Sequence, residues 1–328
     1  MTRPIRWGIV GTGKIAHAFA QDLRLLPDAE LIAVGSRRAD KAAYFADAFH
    51  VPHSHASYQA LVDDPDVDVV YIATPHIAHC ENMLLALNAG KAILCEKPFT
   101  MNAAQAEQVI GVARDKRLFV MEAMWTRFIP LVVALREMLS QRVIGDVQML
   151  VGGMGKLAAR DPVHYLFDLQ NGGGLLLDAT VYLISLALML FGRPIDVRGT
   201  AHFDVSGVDD QEAIVLKHAR GQIAALHASF NTIIPPAFTV YGEQGRIHVH
   251  PPLFAPTRLT VSRASYGDET QEILFDGNGM NYQAAHVMEC LHRGELESRV
   301  MPLDETLCIM QTMDSLRAQW GFKYPFEA

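Results

Sequence analysis

Cysteine is scarce: the 328 residues contain four, Cys80, Cys95, Cys290 and Cys308, and no two form a C-x-x-C pair. That scarcity argues against a disulfide scaffold, and the four read as reduced core thiols of a cytoplasmic protein. Positive charge is in deficit, since 28 Lys and Arg against 36 Asp and Glu leave a net charge of −8. Neither nucleic acid nor an anionic membrane surface is therefore the expected partner. The N-terminus, M-T-R-P-I-R-W-G-I-V, lacks the apolar stretch of a secretory signal. One long apolar run exists, over 175–191, but it falls short of the ~20 residues a membrane span needs. It carries Asp178 and lies between glycines, so a buried helix of a soluble protein is expected. There is no internal repeat, no low-complexity segment and no G-x-S-x-G elbow for a serine hydrolase.

What is present has the grammar of two domains, in keeping with a prior of about 150 residues each. Half of the chain is apolar (50%) and a fifth charged (20%), as in ordinary globular proteins. Compact apolar runs at 5–10, 31–34, 68–73, 92–95 and 118–121 alternate with helical patterns. The clearest helix follows Asn102, an N-cap with Gln105 three residues on. Strands alternating with helices predict an α/β, doubly wound nucleotide-binding domain over 1–122. Beyond it, helices are predicted at 128–138 and 178–190. Period-2 strands then fall near 213–217, 223–230, 238–241, 247–250 and 259–262. That pattern predicts an α+β domain over 123–328 with a large, mostly antiparallel open sheet. A last amphipathic helix at 303–320, opened by Asp304, is expected to pack back on the first domain.

The segment G-I-V-G-T-G-K-I-A sets G-x-G-x-x-A directly after the first strand. Gly11 suits a tight turn, Gly13 leaves room for a pyrophosphate, and Ala16 permits close packing. Backbone N–H groups at the helix start, at Lys14 and Ile15, then face negative charge. At the end of the second strand, where NAD enzymes carry an acidic residue, the chain reads Ser36-Arg37-Arg38 with Lys41 following. Hydroxyl and cationic donors there suit a 2′-phosphate, so NADP is expected over NAD. The fourth predicted strand ends in Glu96-Lys97-Pro98, which points Lys97 into the ligand crevice of an α/β sheet. In N-G-G-G-L-L-L-D-A-T-V-Y, Asp178 and Tyr182 stand four apart on one helical face.

Together with Thr74-Pro75-His76-x-x-His79, these motifs resemble the Gfo/Idh/MocA family of NAD(P)-dependent oxidoreductases, in order and over essentially the whole chain. The run M-E-A-M-W-T-R-F at 121–128 resembles the NADP-linked branch of dimeric dihydrodiol dehydrogenase and D-xylose dehydrogenase. Tyr182, where many members carry histidine, fits that branch or glucose–fructose oxidoreductase and disfavours an inositol dehydrogenase. The resemblance implies catalysis by Tyr182 as acid/base, assisted by Lys97, with Asp178 orienting the substrate hydroxyl or the lysine. It implies contacts to the cofactor from Thr74, Pro75, His76, His79 and Glu96. Trp125, Arg127, Met154 and Met280 are candidates for the substrate wall. The expected substrate is a small sugar, polyol or trans-dihydrodiol, and the expected assembly a homodimer or larger through the second sheet. Two alternatives are an enzyme that retains NADP tightly and cycles between two sugars, and a non-catalytic NADP-binding sensor. Fourteen histidines include the close pairs His53/His55 and His248/His250. No third ligand is evident near either, and no metal is expected.

Overall fold

A computed structural model of the chain describes residues 3–159, 164–264 and 267–327. The chain divides into two units, one of residues 1–125 and 276–307, the other of 126–275 and 308–328. The first break falls three residues beyond the predicted boundary. In the first unit the strands are β1 (Ile5–Val10), β2 (Ala29–Gly35), β3 (His53–His55), β4 (Val69–Ile72), β5 (Ala92–Glu96) and β6 (Val120–Ala123). The helices between them are α1 (Lys14–Leu23), α2 (Ala39–Phe49), α3 (Tyr58–Val62), α4 (His79–Asn88) and α5 (Ala103–Lys116). All strand pairs are parallel, in the order β3-β2-β1-β4-β5-β6. Helices cover both faces of such a sheet, so its central strands are buried throughout, as every residue of β4 and β5 is, and apolar up to Glu96 at the end of β5. Trp7, Phe19 and Tyr71 pack as one aromatic column, with Phe19 stacked on Tyr71 at 3.8 Å. Asn102 caps α5 as expected, accepting from Gln105 N at 2.9 Å, while Gln105 accepts from Met101 N. The short edge strand β3 has no apolar run and was not anticipated.

The second unit opens with a 3₁₀ turn, Trp125–Phe128 counted from the end of the first unit, and α6 (Pro130–Ser140) with Pro130 at its start. A π-helical turn, Leu176–Thr180, runs into α7 (Val181–Phe191). The strands are β7 (Val147–Gly155), β8 (Pro194–Phe203), β9 (Asp209–His218), β10 (Ile223–Ser229), β11 (Ile234–Gly242), β12 (Gly245–Val249), β13 (Arg258–Arg263) and β14 (Gly267–Glu272). Among the described residues they form one sheet, β14-β13-β12-β11-β7-β10-β9-β8. Its pairs are antiparallel except β7 with β10. From Asp210 onward burial along β9 alternates, so one face meets the core and the other is open. The apolar helix α7 lies across β7 and β10, with Val181 to Leu188 buried. That burial, rather than a membrane, accounts for the long apolar run, and no described helix is long and apolar enough to cross a bilayer.

The C-terminal helices are α8 (Asn281–His292) and α9 (Leu303–Gln319). Here the structure corrects an expectation. The helix predicted to return to the first domain belongs from Cys308 onward to the second unit. Gln319 Nε2 donates to Val197 O of β8 at 2.9 Å, and Leu316 packs over Gly199. Asp304 lies inside the first turn rather than at the cap. The return to the first unit is made instead by 276–307, where one buried carboxylate gathers several of the contacts. Asp22 on α1, 1% exposed, accepts from Asn278 N (2.7 Å), Met280 N (2.7 Å), Asn281 N (3.3 Å) and Asn278 Nδ2 (2.9 Å). Asp22→Ala strands these donors and is expected to cost about 3 kcal/mol of unfolding free energy. Asp22→Asn, which keeps one acceptor oxygen, is expected to cost less. Urea unfolding of the two variants against the parent tests this, and equal stability of all three would refute the clasp.

Candidate active site

In the first unit the strand order reverses direction at β1, between β2 and β4. Ligands of open α/β sheets bind beyond the carboxyl ends of strands at such a point. Gly11 has φ +106°, and a Cβ there would lie 2.6 Å from Ala73 O, just past β4. Gly13, by contrast, faces open space, with nothing within 4 Å of the Cβ position. No side chain caps α1 and no acidic residue occupies its first turn, so its leading N–H groups suit an anion. Lys14 and Ile15 are exposed there. A dinucleotide pyrophosphate therefore fits this cradle by shape and by charge.

At the end of β2, Ser36 is 8% exposed and its Oγ accepts from Arg38 N at 3.2 Å. Arg37 and Lys41 are exposed. Arg38 is otherwise engaged: its Nε and Nη2 reach Asp40 at 3.1 and 2.6 Å. Beyond β4, Pro75 is exposed and His76 half-buried, while Thr74 Oγ1 accepts from Asn82 Nδ2 at 3.1 Å. His79 corrects the expectation that it faces the cofactor. It is fully buried, with Nδ1 2.8 Å from Pro98 O and Nε2 2.9 Å from Thr74 O. Burial, and less so the Lys97 charge, holds its pKa below the ordinary value. As a neutral ring it donates to one carbonyl at a time and braces the ends of β4 and β5. Lys97, half-buried, follows directly on the last residue of β5. Trp125 closes the unit, half-buried. Met280 is 2% exposed with its N–H on Asp22, a packing residue rather than a substrate wall.

In the second unit the glycine run explains the turn that follows it. A Cβ on Gly174, at φ +125°, would lie 2.2 Å from Asp209 Oδ1. Glycine admits that carboxylate, and Asp209 Oδ2 accepts from Leu176 N at 2.6 Å. Leu176 begins the π turn, which holds the half-buried Asp178, and Tyr182 follows in α7, 8% exposed. The Tyr182 ring lies 6.3 Å from that of Phe254. Single π turns inside helices recur at functional sites. Arg127 departs from expectation: at 1% exposure, its Nε and Nη2 donate to Ser185 Oγ (2.9 Å) and Ser185 O (2.7 Å). It anchors α7 from within. Met154, half-buried on β7, packs against a core cluster with Leu166, Phe167 and Phe230.

Family comparison agrees with this division. The model of the oxidoreductase family with an NAD-binding Rossmann fold, Gfo/Idh/MocA, matches residues 5–124. That of the Gfo/Idh/MocA C-terminal domain matches 132–248. The chain belongs to the Gfo/Idh/MocA family. Among its curated relatives, trans-1,2-dihydrobenzene-1,2-diol dehydrogenase of Bos taurus is 36% identical over 335 residues, covering 98% of each chain. The same enzyme of Homo sapiens is 35% identical with the same coverage. A solved 3-ketoreductase of Actinomadura kijaniata, in complex with NADP and TDP-benzene, superposes with TM-score 0.83 at 26% identity, over 96% and 97% of the two chains. Levoglucosan dehydrogenase, in complex with NADH and levoglucosan, shares the fold with TM-score 0.89 at 21% identity, over 97% of each chain.

As a Gfo/Idh/MocA member, the protein is an oxidoreductase built to hold NAD(P). Sequence reasoning did not foresee one device of its nucleotide half: Glu96 is buried, and Tyr71, from β4, donates a short hydrogen bond to its Oε1. Burial raises the Glu96 pKa to about 7, against the Tyr71 hydroxyl and the Lys97 charge, which favour the carboxylate. A carboxyl with a folded pKa above its unfolded value gives stability that is full below about pH 4.5 and lost as pH rises through about 7. Between pH 5 and 8 the protein is thus expected to lose on the order of 2 kcal/mol through this group. Glu96→Gln should flatten that slope in urea unfolding measured across the window. An unchanged slope would show that the carboxyl titrates elsewhere.

Proposed function

We propose that this protein is an NADP-dependent dehydrogenase or reductase acting at the hydroxyl or carbonyl carbon of a small sugar, polyol or trans-dihydrodiol. Tyr182 serves as its acid–base group and Lys97 as the supporting cation. The observation that carries the reading is the construction ahead of α7. A glycine run, a buried Asp209 and a π turn together present a carboxylate and a phenol at the mouth of an otherwise apolar helix.

The bound nicotinamide supplies the hydride acceptor or donor. The chain must move the hydroxyl proton, and a free tyrosine, with a pKa of about 10, is a poor base at neutral pH. An ammonium close to the phenol favours the phenolate by ~1–3 units, the part assigned to Lys97. Asp178 orients the substrate hydroxyl or the lysine. The substrate class is supported by the diol dehydrogenases at 35–36% identity and by the solved sugar-nucleotide-bound reductase. The NADP preference is supported by the strand end at Ser36, where no carboxylate stands, and by the exposed Arg37 and Lys41. Arg38 contributes less, because Asp40 occupies its guanidinium. Four buried, unbridged cysteines suit a reducing compartment such as the cytoplasm. The open face of the second sheet, with Val215 45% and Tyr241 36% exposed, suits pairing with a second copy.

Tyr182→Phe is expected to lower kcat by ~10²–10⁴ and leave NADP affinity near the parent value. Steady-state kinetics over a panel of aldoses, polyols and trans-dihydrodiols, with cofactor binding followed by fluorescence, tests this. Turnover unchanged by the substitution would remove Tyr182 from the mechanism. Arg37→Ala is expected to weaken NADP by about tenfold or more and leave NAD unaffected, since a charge-assisted bond to phosphate is worth about 1.5–3 kcal/mol. Equal losses for the two dinucleotides would refute the 2′-phosphate assignment.

A further inference from the structure

Edge strand β3 carries His53 and His55 two residues apart, so both rings leave the same face. Both rings reach one carboxylate oxygen: Asp64 Oδ2 lies 2.7 Å from His53 Nδ1 and 2.9 Å from His55 Nε2. All three donor atoms lie within 4.8 Å of one another. The carboxylate is fixed independently of the rings, because Asp66 N donates to its other oxygen at 2.9 Å. The loop that carries it is clamped by Lys91, whose Nζ donates to Asp64 O (2.7 Å) and Val67 O (2.8 Å). Burial would raise the Asp64 pKa, but the Asp66 N–H and the two imidazoles hold it down to about 2. The carboxylate is therefore charged at any physiological pH. The side chain of Asp64 is 5% exposed, that of His55 22% and that of His53 39%. The cluster thus has a closed floor and one side open to water.

We infer that His53, His55 and Asp64 form a binding site for a divalent transition-metal ion, best suited to Zn²⁺, with water completing the shell. Two imidazoles and one carboxylate select zinc over magnesium or calcium, which take all-oxygen shells. Zinc–ligand bonds of about 2.0–2.2 Å in a tetrahedron put neighbouring donor atoms about 3.3 Å apart. The two ring-to-carboxylate distances are those of hydrogen bonds, so each ring must draw back from Asp64 Oδ2 by about half an ångström while the two ring nitrogens, within 4.8 Å of each other, settle to that spacing, as partly exposed side chains can. An imidazole that binds the ion presents it a lone pair and keeps its proton on the nitrogen facing away from Asp64. The ion would clip β3, whose His55 carbonyl accepts from Ser36 N at 3.2 Å, to the loop before β4. The second close pair is built otherwise. His248 meets Thr239 Oγ1 and His250 meets Thr260 Oγ1, each at 2.8 Å, and no third ligand joins them among the described residues.

The test is zinc uptake by the full chain after chelator treatment, titrated with zinc chloride against a chromophoric indicator and followed in parallel by thermal unfolding. The parent is expected to take up one zinc per chain with micromolar affinity, and its Tm should rise with zinc. His55→Ala and Asp64→Asn should weaken uptake by at least the ~10–100-fold that loss of a supporting partner costs in metal sites, and abolish the Tm rise. His248→Ala should change neither. Should either of the first two variants fail to fold by circular dichroism, His53→Ala, at the most exposed ring, decides the matter with the same readouts. No uptake by the parent, or uptake that the folded variants retain in full, overturns the proposal.

Discussion

The approach of the Gly11 backbone to the carbonyl of Ala73 is the constraint from which the nucleotide half follows. A side chain on Gly11 would strike a backbone atom at 2.6 Å, and backbone held in a parallel sheet cannot step aside. Gly11 N donates to Gly35 O while Ala73 N donates to Val10 O, so one turn is tied to the strands on both sides of β1. With β1 held in this way, α1 starts in the gap where the sheet changes direction, and its free N–H groups face the space beyond the strand ends. Gly13, with no neighbour to avoid, has a different reason to lack a side chain. The space it leaves open suits a ligand, which is why the two glycines are not interchangeable.

Several polar residues that look like ligands in the sequence belong to the frame. His79 and Arg127 bond their own neighbours, the carbonyls of Thr74 and Pro98 for the first and the hydroxyl and carbonyl of Ser185 for the second. A buried cation or imidazole must have such partners, because an unpaired one costs more than the fold can spare. His79 joins the two strand ends that bear Thr74 and Lys97, so it sets the positions of two candidate site residues. Arg127 plays the same part for α7, reaching it four residues beyond Asp178 plus most of a turn, at Ser185.

How much of this could be read from the chain depended on distance along it. The G-x-G-x-x-A loop, the Asn102 cap and the Lys97 position are local: each needs only the strand or helix it adjoins. The burial of His79, Arg127 and Met280 depends on residues 5 to 258 positions away, and no periodicity records such contacts. Strand β7 was not anticipated: Gly152, Gly153 and Gly155 break up the apolar alternation that marks the other strands. In the sheet they are small because neighbours crowd them: Leu183 over Gly152 at 2.9 Å from a Cβ position, His227 over Gly153 at 2.1 Å. The π turn was hidden for a related reason. Apolar spacing over 175–191 fits a continuous helix, and the group that opens it, Asp209, lies 33 residues beyond Leu176.

That π turn also bears on how Asp178 and Tyr182 are held. Asp209 has a second carboxyl beside it, Glu212 on the same strand, 3% exposed. Burial pushes the Glu212 pKa well above the ordinary range, and the adjacent Asp209 charge pushes it further. Asp209 itself is fixed by the N–H it accepts from, Leu176 N at 2.6 Å. The first turn of the helix is thereby held by a group outside it, which offsets the cost of the wider π geometry. Replacing Gly174 would exclude Asp209 before it touched either functional side chain. The glycine run, the buried acid pair and the Asp178/Tyr182 pair are on this account one device: the first admits the second, and the second sets the backbone from which the third projects.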